Sequence, residues 1–256
     1  IVDTQCCSGG AGSSSGSHLD LDSSGRPHVA YSWADPASAA TGARYAVLGD
    51  NGQWQIQVVE QGNGGSASYG DNPVIALGAD DRPHMIFNTW GLLRYALYDG
   101  IQWNIQNVAT IGQLGNADLA LDSQGRPHVV YQGTGGIGTV YAVLDNGQWH
   151  KQTIGGQGTN WTTTSIAIDP DDHIHVSFWV ENDKQYKYGF YDGNEWTIEV
   201  IDGHDLATNM STIAHLALTS AGEPVVTYPV GTASGISRRL TVPQRTTPQA
   251  SAIPWP

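Results

Sequence analysis

Four histidines, His28, His84, His128 and His175, recur at one place in a repeated segment of the chain. Imidazole titrates near neutrality and ligates metals, so such a set could move protons or hold ions. Recurrence points elsewhere. A residue needed once per repeat belongs to the packing of the repeat, where it holds a turn or a backbone group by hydrogen bonds. Several equivalent sugar sites, each using one histidine, are the other reading. Trp54, Trp103, Trp149 and Trp196 recur in the same way. They are expected to pack between repeats with each indole N–H satisfied locally.

Residues that do not recur carry more information. His18, Asp20, Asp118 and His215 stand beside positions where the other repeats hold small or apolar residues. Two imidazoles and two carboxylates can bind a metal or a small polar ligand; the alternative is the polar lining of a solvated channel. Trp33, Tyr69, Trp90, Trp161 and Trp179 lie in or beside segments rich in Gly, Ser, Asn and Thr. Exposed aromatics beside such groups suit sugar rings, which offer an apolar face and hydroxyls. The plainer reading tucks these rings against strand ends. No nucleophile–base motif stands out. Retaining glycoside hydrolysis needs carboxyls about 5–5.5 Å apart, and Asp20 and Asp118, the one pair to consider, belong to non-adjacent repeats. No catalysis is expected, and a polysaccharide lyase or glycosidase is the least favoured function.

The elements that position these residues follow from self-similarity. LDLDSSGRPHVAY (19–31), IALGADDRPHMIF (75–87), LALDSQGRPHVVY (119–131), IAIDPDDHIHVSF (166–178) and the weaker LALTSAGEPVVTY (216–228) are five copies of one segment. In the first four a second element follows, such as RYAVLGDNGQW, with tryptophans 46 to 49 residues apart. Each unit reads as four short alternating strands: A, a tight turn, B opening on proline, a variable loop, C, an Asn-Gly or Asp-Gly hairpin, and D. Four-stranded units at this period predict an all-β chain, a single five-bladed β-propeller over residues 1–244. Strand alternation then sends Leu19 and Leu21 to the core between blades. It sends His18, Asp20, Asp118 and His215 to one mouth of the central channel.

Ile1-Val2-Asp3 matches Val200-Ile201-Asp202 at the end of a strand D. Residues 1–5 are therefore expected to complete the last blade and cover its edge. The segment 245–256, RTTPQASAIPWP, reads as an extended Pro/Thr-rich tail whose Trp255 fills the vacant tryptophan slot beside Ile1 and Val2. Supplied by a neighbouring copy, the same strand would join subunits end to end, near Cys6 and Cys7. Those two cysteines are adjacent, about 3.8 Å between Cα atoms, against roughly 4.4–6.8 Å in ordinary disulfides. A strained ring, two free thiols and bonds to another chain all remain open.

The pattern LxLDSxGRPHVxY…YAxxDGxxW resembles the repeats of bacterial secreted and surface β-propeller proteins, loosely grouped with sialidase-like propellers. The resemblance implies the propeller fold and an extracellular setting. It transfers no catalytic residues: DNGQW is one residue too short for the sialidase Asp-box, and the sialidase arginine triad and tyrosine–glutamate pair have no counterparts to place.

Charge and composition narrow the partners. The formal net charge is -13, and the one basic cluster is Arg238-Arg239, so nucleic acid is not expected. No apolar run approaches the roughly 18 residues of a membrane span, so no insertion is expected. Charged residues are 14% of the chain, with 32 glycines, 9 tryptophans and 2 methionines, which suits turns and strands rather than helical bundles. The first residue is not methionine, as in a processed, secreted or cell-surface protein. The resulting expectation is a non-catalytic extracellular module that binds a glycan or a cell-surface polymer and needs no cofactor. A subunit of a filament or tandem propeller array joined through its termini is the alternative.

Overall fold

The computed structural model describes residues 16–35, 38, 40–63, 69–111, 116–156, 164–180, 182–202, 215–230, 236–241 and 253–254. The chain divides into two compact units, residues 1–114 and 115–256.

Every described element of regular structure is a strand. In the first unit β1 (Ser17–Leu21), β2 (Pro27–Asp35), β3 (Ala40–Leu48) and β4 (Trp54–Asn63) form an antiparallel meander. A second meander joins β5 (Tyr69–Leu77), β6 (Pro83–Thr89), β7 (Leu92–Tyr98) and β8 (Trp103–Thr110). In the second unit the third sheet holds β9 (Ala117–Leu121), β10 (Pro127–Gly133), β11 (Gly138–Asp145) and β12 (Gln148–Thr153). The fourth holds β13 (Thr164–Ile168), β14 (Ile174–Val180), β15 (Gln185–Tyr191) and β16 (Glu195–Asp202). The fifth repeat forms three strands, β17 (His215–Leu218), β18 (Pro224–Val230) and β19 (Ile236–Thr241). These are the A-B-C-D units that the repeat predicts, with proline opening strand B in four of five copies.

Sheets pack face to face within each unit. Ala30, Ala43, Tyr45 and Val59 of the first sheet bury against Ile75, Met85, Phe87 and Ala96 of the second. Val130, Tyr141 and Ile154 meet Ile166, Val176 and Phe178, and Tyr186 and Tyr188 meet Leu216, Val226 and Tyr228. Each such large side chain removed from water stabilises by about 1.5–3 kcal/mol. The opposite face of the first sheet differs from expectation: Leu19 and Leu21 are each 54% exposed. They share that face with exposed Ile56, which lies in one cross-strand row with Leu19, Val29 and Ala46. Only the other face of this sheet meets the second.

The A–B turn is built around one carboxylate. Asp22 Oδ1 accepts from the Ser24 and Arg26 N–H groups, and Oδ2 from Arg26 Nε at 2.6 Å. Asp122 repeats this with Gln124 and Arg126. Neighbouring turns are clasped as well. Ser23 donates its N–H and hydroxyl to the two oxygens of Asp81, at 2.8 and 2.6 Å. Ser123 does the same to Asp172, at 2.8 and 2.6 Å.

Candidate functional site

The recurrent histidines are buried cross-links between this turn and strand C. The Tyr45 hydroxyl donates to His28 Nδ1 at 2.6 Å, and His28 Nε2 faces Asp22 at 3.3 Å. Tyr141–His128–Asp122 and Tyr188–His175–Asp169 repeat the chain. Because the carboxylate only accepts, Nε2 carries the proton and Nδ1 receives from tyrosine. Hydrogen bonding, first from the Ser24 hydroxyl, holds Asp22 well below the usual carboxylate range. Burial alone would push Asp122 up, but its bonds to Arg126 and His128 outweigh that and leave it lowered. Burial also keeps His128 and His175 below the ordinary imidazole value, against the pull of Asp122 and Asp169. In the second repeat Gly78 replaces the aspartate, and among the described residues His84 keeps the Tyr95 hydroxyl as its partner, at 2.7 Å. Burial there pushes His84 down to about 4. Two of the four tryptophans behave as the repeat predicts: Trp103 donates to Gln57 and Trp196 to Gln152, each on the outer strand of the preceding sheet. Trp54 instead packs against residues of its own sheet, Tyr31, Trp33, Ala40 and Ala46.

The set His18, Asp20, Asp118 and His215 is divided between the units. Within the first, Asp20 accepts from the Leu77 N–H at 2.8 Å and His18 Nδ1 lies 3.4 Å from the Ile75 N–H. Within the second, Asp118 accepts from the Ser165 hydroxyl and the Ile166 N–H, and the Leu216 N–H donates to Ser165 Oγ. His215 is exposed at the start of β17. Asp20 and Asp118 thus lace the first strands of adjacent sheets together. Asp169, Asp171 and His173 also gather, with ligand atoms within 4.8 Å of one another. Asp169 is already committed to the turn, and His173, standing where the first three repeats have arginine, donates to it from Nδ1 at 2.9 Å.

The loop aromatics separate. Trp33 is a correction to the expected displayed set: it is 7% exposed, with the Arg44 guanidinium 3.9 Å over its ring. Trp179 is a second correction, 7% exposed and packed on Tyr186 at 4.9 Å. Both lie within strand B of their repeats, β2 and β14, rather than in a turn. Trp161 lies outside the described residues, as do Ile1, Val2, Cys6, Cys7 and Trp255; Tyr69 is described only by its backbone, paired with Thr89. The part of the tail that is described, Ile253–Pro254 (β20), pairs with Trp196 and Glu195 on the edge of β16. That is the fourth repeat, not the fifth that the vacant tryptophan slot suggested.

Trp90 alone among the described candidates is displayed, 63% exposed. It and Gly91 form the two-residue turn between β6 and β7, with φ of 52° and 72°. Such turns favour Asn or Gly at the first position, and a bulky aromatic there is strained. Strain of this kind persists where something else fixes the backbone. Here the Ile111 N–H donates to Gly91 O at 2.7 Å, and the Gly70 N–H to Thr89 Oγ1 at 3.5 Å. Gly70 can hold no side chain, since a Cβ would overlap the Gly42–Ala43 backbone.

A polar group stands beside this turn. Arg94 donates to Glu60 Oε1 at 2.9 Å and to Asn107 Oδ1 at 2.6 Å, while Thr89 Oγ1 lies 3.5 Å from Glu60 Oε2. Arg94 and Glu60 keep 22% and 20% of their side-chain surface open. Sequence reasoning missed Glu60, Arg94 and Asn107. A β-bulge is the reason: Arg94 pairs with Asn107 but Leu93 with Ala109, and likewise Arg44 with Val58 but Ala43 with Glu60. The extra residue, Val59, turns Glu60 onto the face of Ala43, towards the second sheet. The available signal was an acid after two apolar residues at the end of strand D, Val58-Val59-Glu60, as in Val200-Ile201-Asp202.

The sequence matches no family model and no curated protein. Solved structures share the fold. The Aleuria aurantia lectin, as a point mutant in complex with Fucα1-6GlcNAc, aligns with a TM-score of 0.60 at 16% identity, over 92% of this chain and 80% of that one. The SapL1 lectin in complex with α-methyl fucoside aligns at 0.60 and 15%, over 94% and 82%. A Dyadobacter fermentans protein of unknown function aligns at 0.57 and 13%, over 87% and 74%.

Proposed function

We propose that this chain is a non-catalytic carbohydrate-recognition module of the cell surface or secreted fraction, with Trp90 as the platform for a sugar ring. The observation that carries the reading is an exposed indole held in a strained turn next to Thr89, whose hydroxyl lies 3.5 Å from Glu60, itself paired with Arg94. An indole face takes the C–H face of a pyranose, and the ion pair offers donors and acceptors for its hydroxyls. The fucose-bound lectins of like fold support the class of ligand. The test is a glycan array followed by calorimetry with the best binder. Trp90→Ala should weaken binding at least tenfold, about 1.4 kcal/mol, with an unchanged circular dichroism spectrum. A folded sample that binds no glycan defeats the reading.

Assembly through the termini is a second reading, which rests on the match of Ile1-Val2-Asp3 to the end of a strand D; the pairing of β20 with β16 of its own chain weighs against it. Light scattering separates the two, since self-association predicts a mass that rises with concentration.

A further inference from the structure

Two positions of the A–B turn alternate along the chain. At the first stand Ser23, Ala79, Ser123, Pro170 and Ser220; at the second, two residues on, Gly25, Asp81, Gly125, Asp172 and Gly222. All five residues at the second position are left-handed, with φ of 78°, 60°, 74°, 63° and 77°. Glycine bears this freely, whereas aspartate does so at a cost. In return each aspartate carboxylate takes two hydrogen bonds from the serine of the preceding repeat. The repeats are therefore of two kinds. One offers a serine and has glycine; the other has aspartate and offers no hydroxyl.

The fifth repeat is of the serine kind. Its turn is formed: Gly222 N–H donates to Thr219 O at 2.9 Å, and Thr219 Oγ1 accepts from the Ala221 and Glu223 N–H groups. Ser220 is exposed, and among the described residues its N–H and hydroxyl meet no acceptor. Both aspartates at the left-handed position, Asp81 and Asp172, are engaged by Ser23 and Ser123.

We propose that the Ser220 turn is a docking site for a further repeat of the aspartate kind, a four-stranded sheet like those of residues 69–110 and 164–202. The partner is defined by its chemistry: a left-handed aspartate in the A–B turn, preceded two residues earlier by a residue without a hydroxyl. A repeat of the glycine kind offers Ser220 no acceptor.

Two sets of melting curves test this. In the 256-residue chain Ser23→Ala and Ser123→Ala should each lower the melting temperature by about 2–4 °C, the scale of a lost hydrogen bond in a chain this size. Ser220→Ala should leave it unchanged. A loss equal to that of Ser23→Ala would overturn the proposal, because the turn would then be clasped already. In a second protein a copy of residues 157–202 follows Pro256. There Ser220→Ala should cost about 2–4 °C. Asp172→Gly in the appended copy should cost the same, and the pair no more than either alone. A copy of residues 112–156 appended instead should leave Ser220→Ala silent. A folded extended protein in which Ser220 and the appended aspartate show no coupling overturns the proposal; if the extension does not fold, the comparison in the parent chain decides.

Discussion

At the scale of the residue, one substitution between repeats sets up a test of acid stability. His84 lacks the aspartate that accompanies His28, His128 and His175, and burial holds its pKa at about 4, below the 6.5 of a free imidazole. Between those values the unfolded chain binds the extra proton and the folded chain does not. Stability is thus full above about 6.5 and falls as pH drops towards about 4, by up to about 3 kcal/mol from this group. Urea unfolding at steps between pH 8 and 4 should show the loss, and His84→Gln should remove about that much of it. The lowered His128 and His175 add to the parent's slope in the same direction. Their carboxylate partners, Asp122 and Asp169, are held low by hydrogen bonds, so their contribution is lost only at still lower pH.

At the scale of the element, equivalent residues do unequal work. Trp196 is fully buried, donates to Gln152 at 3.2 Å and meets Tyr141 edge-on at 5.1 Å. Trp54 opens its own outer strand, packs against Tyr31, Trp33, Ala40 and Ala46 of the first sheet and is only partly buried. Trp196→Ala should cost about 3–5 kcal/mol, the range for deleting a large core aromatic. Trp54→Ala should cost about 1 kcal/mol, nearer the centre of the general mutational distribution. Chemical denaturation of the two variants checks the order. The outer strands also explain why the polar group beside Trp90 was not legible in the sequence. A period-two pattern puts Glu60 on the face of Val58, and the bulge at Val59 reverses it. Bulges recur where Leu93 meets Arg94 and Tyr186 meets Lys187, but no residue type announces them.

At the scale of the molecule, the tail is the part whose place follows least from the repeats. Ile253–Pro254 extends the fourth sheet at its outer edge. An uncovered edge presents unpaired N–H and C=O groups to other chains. Removing residues 245–256 should speed hydrogen exchange in the segment Glu195–Asp202 and leave the edge of β8 unchanged, as read by mass spectrometry of the peptides. The four-stranded units of the first four repeats, their strand order, the buried role of the recurrent histidines and the inter-sheet bonds of Trp103 and Trp196 were legible in the sequence. Each rests on local periodicity, which a chain writes residue by residue. Which aromatic faces water was not. Trp33, Trp90 and Trp179 look alike in the sequence, and only packing sorts them: Arg44 covers Trp33 and Tyr186 packs on Trp179, while Trp90 sits on a two-residue turn. Glu60 and Arg94 meet from different repeats, and the Ser–Asp clasps join turns 58 and 49 residues apart in number, Ser23 to Asp81 and Ser123 to Asp172. Such contacts depend on how one sheet lies on the next. Composition and periodicity determine the sheets themselves; the stacking of sheets decides which of their polar residues become partners.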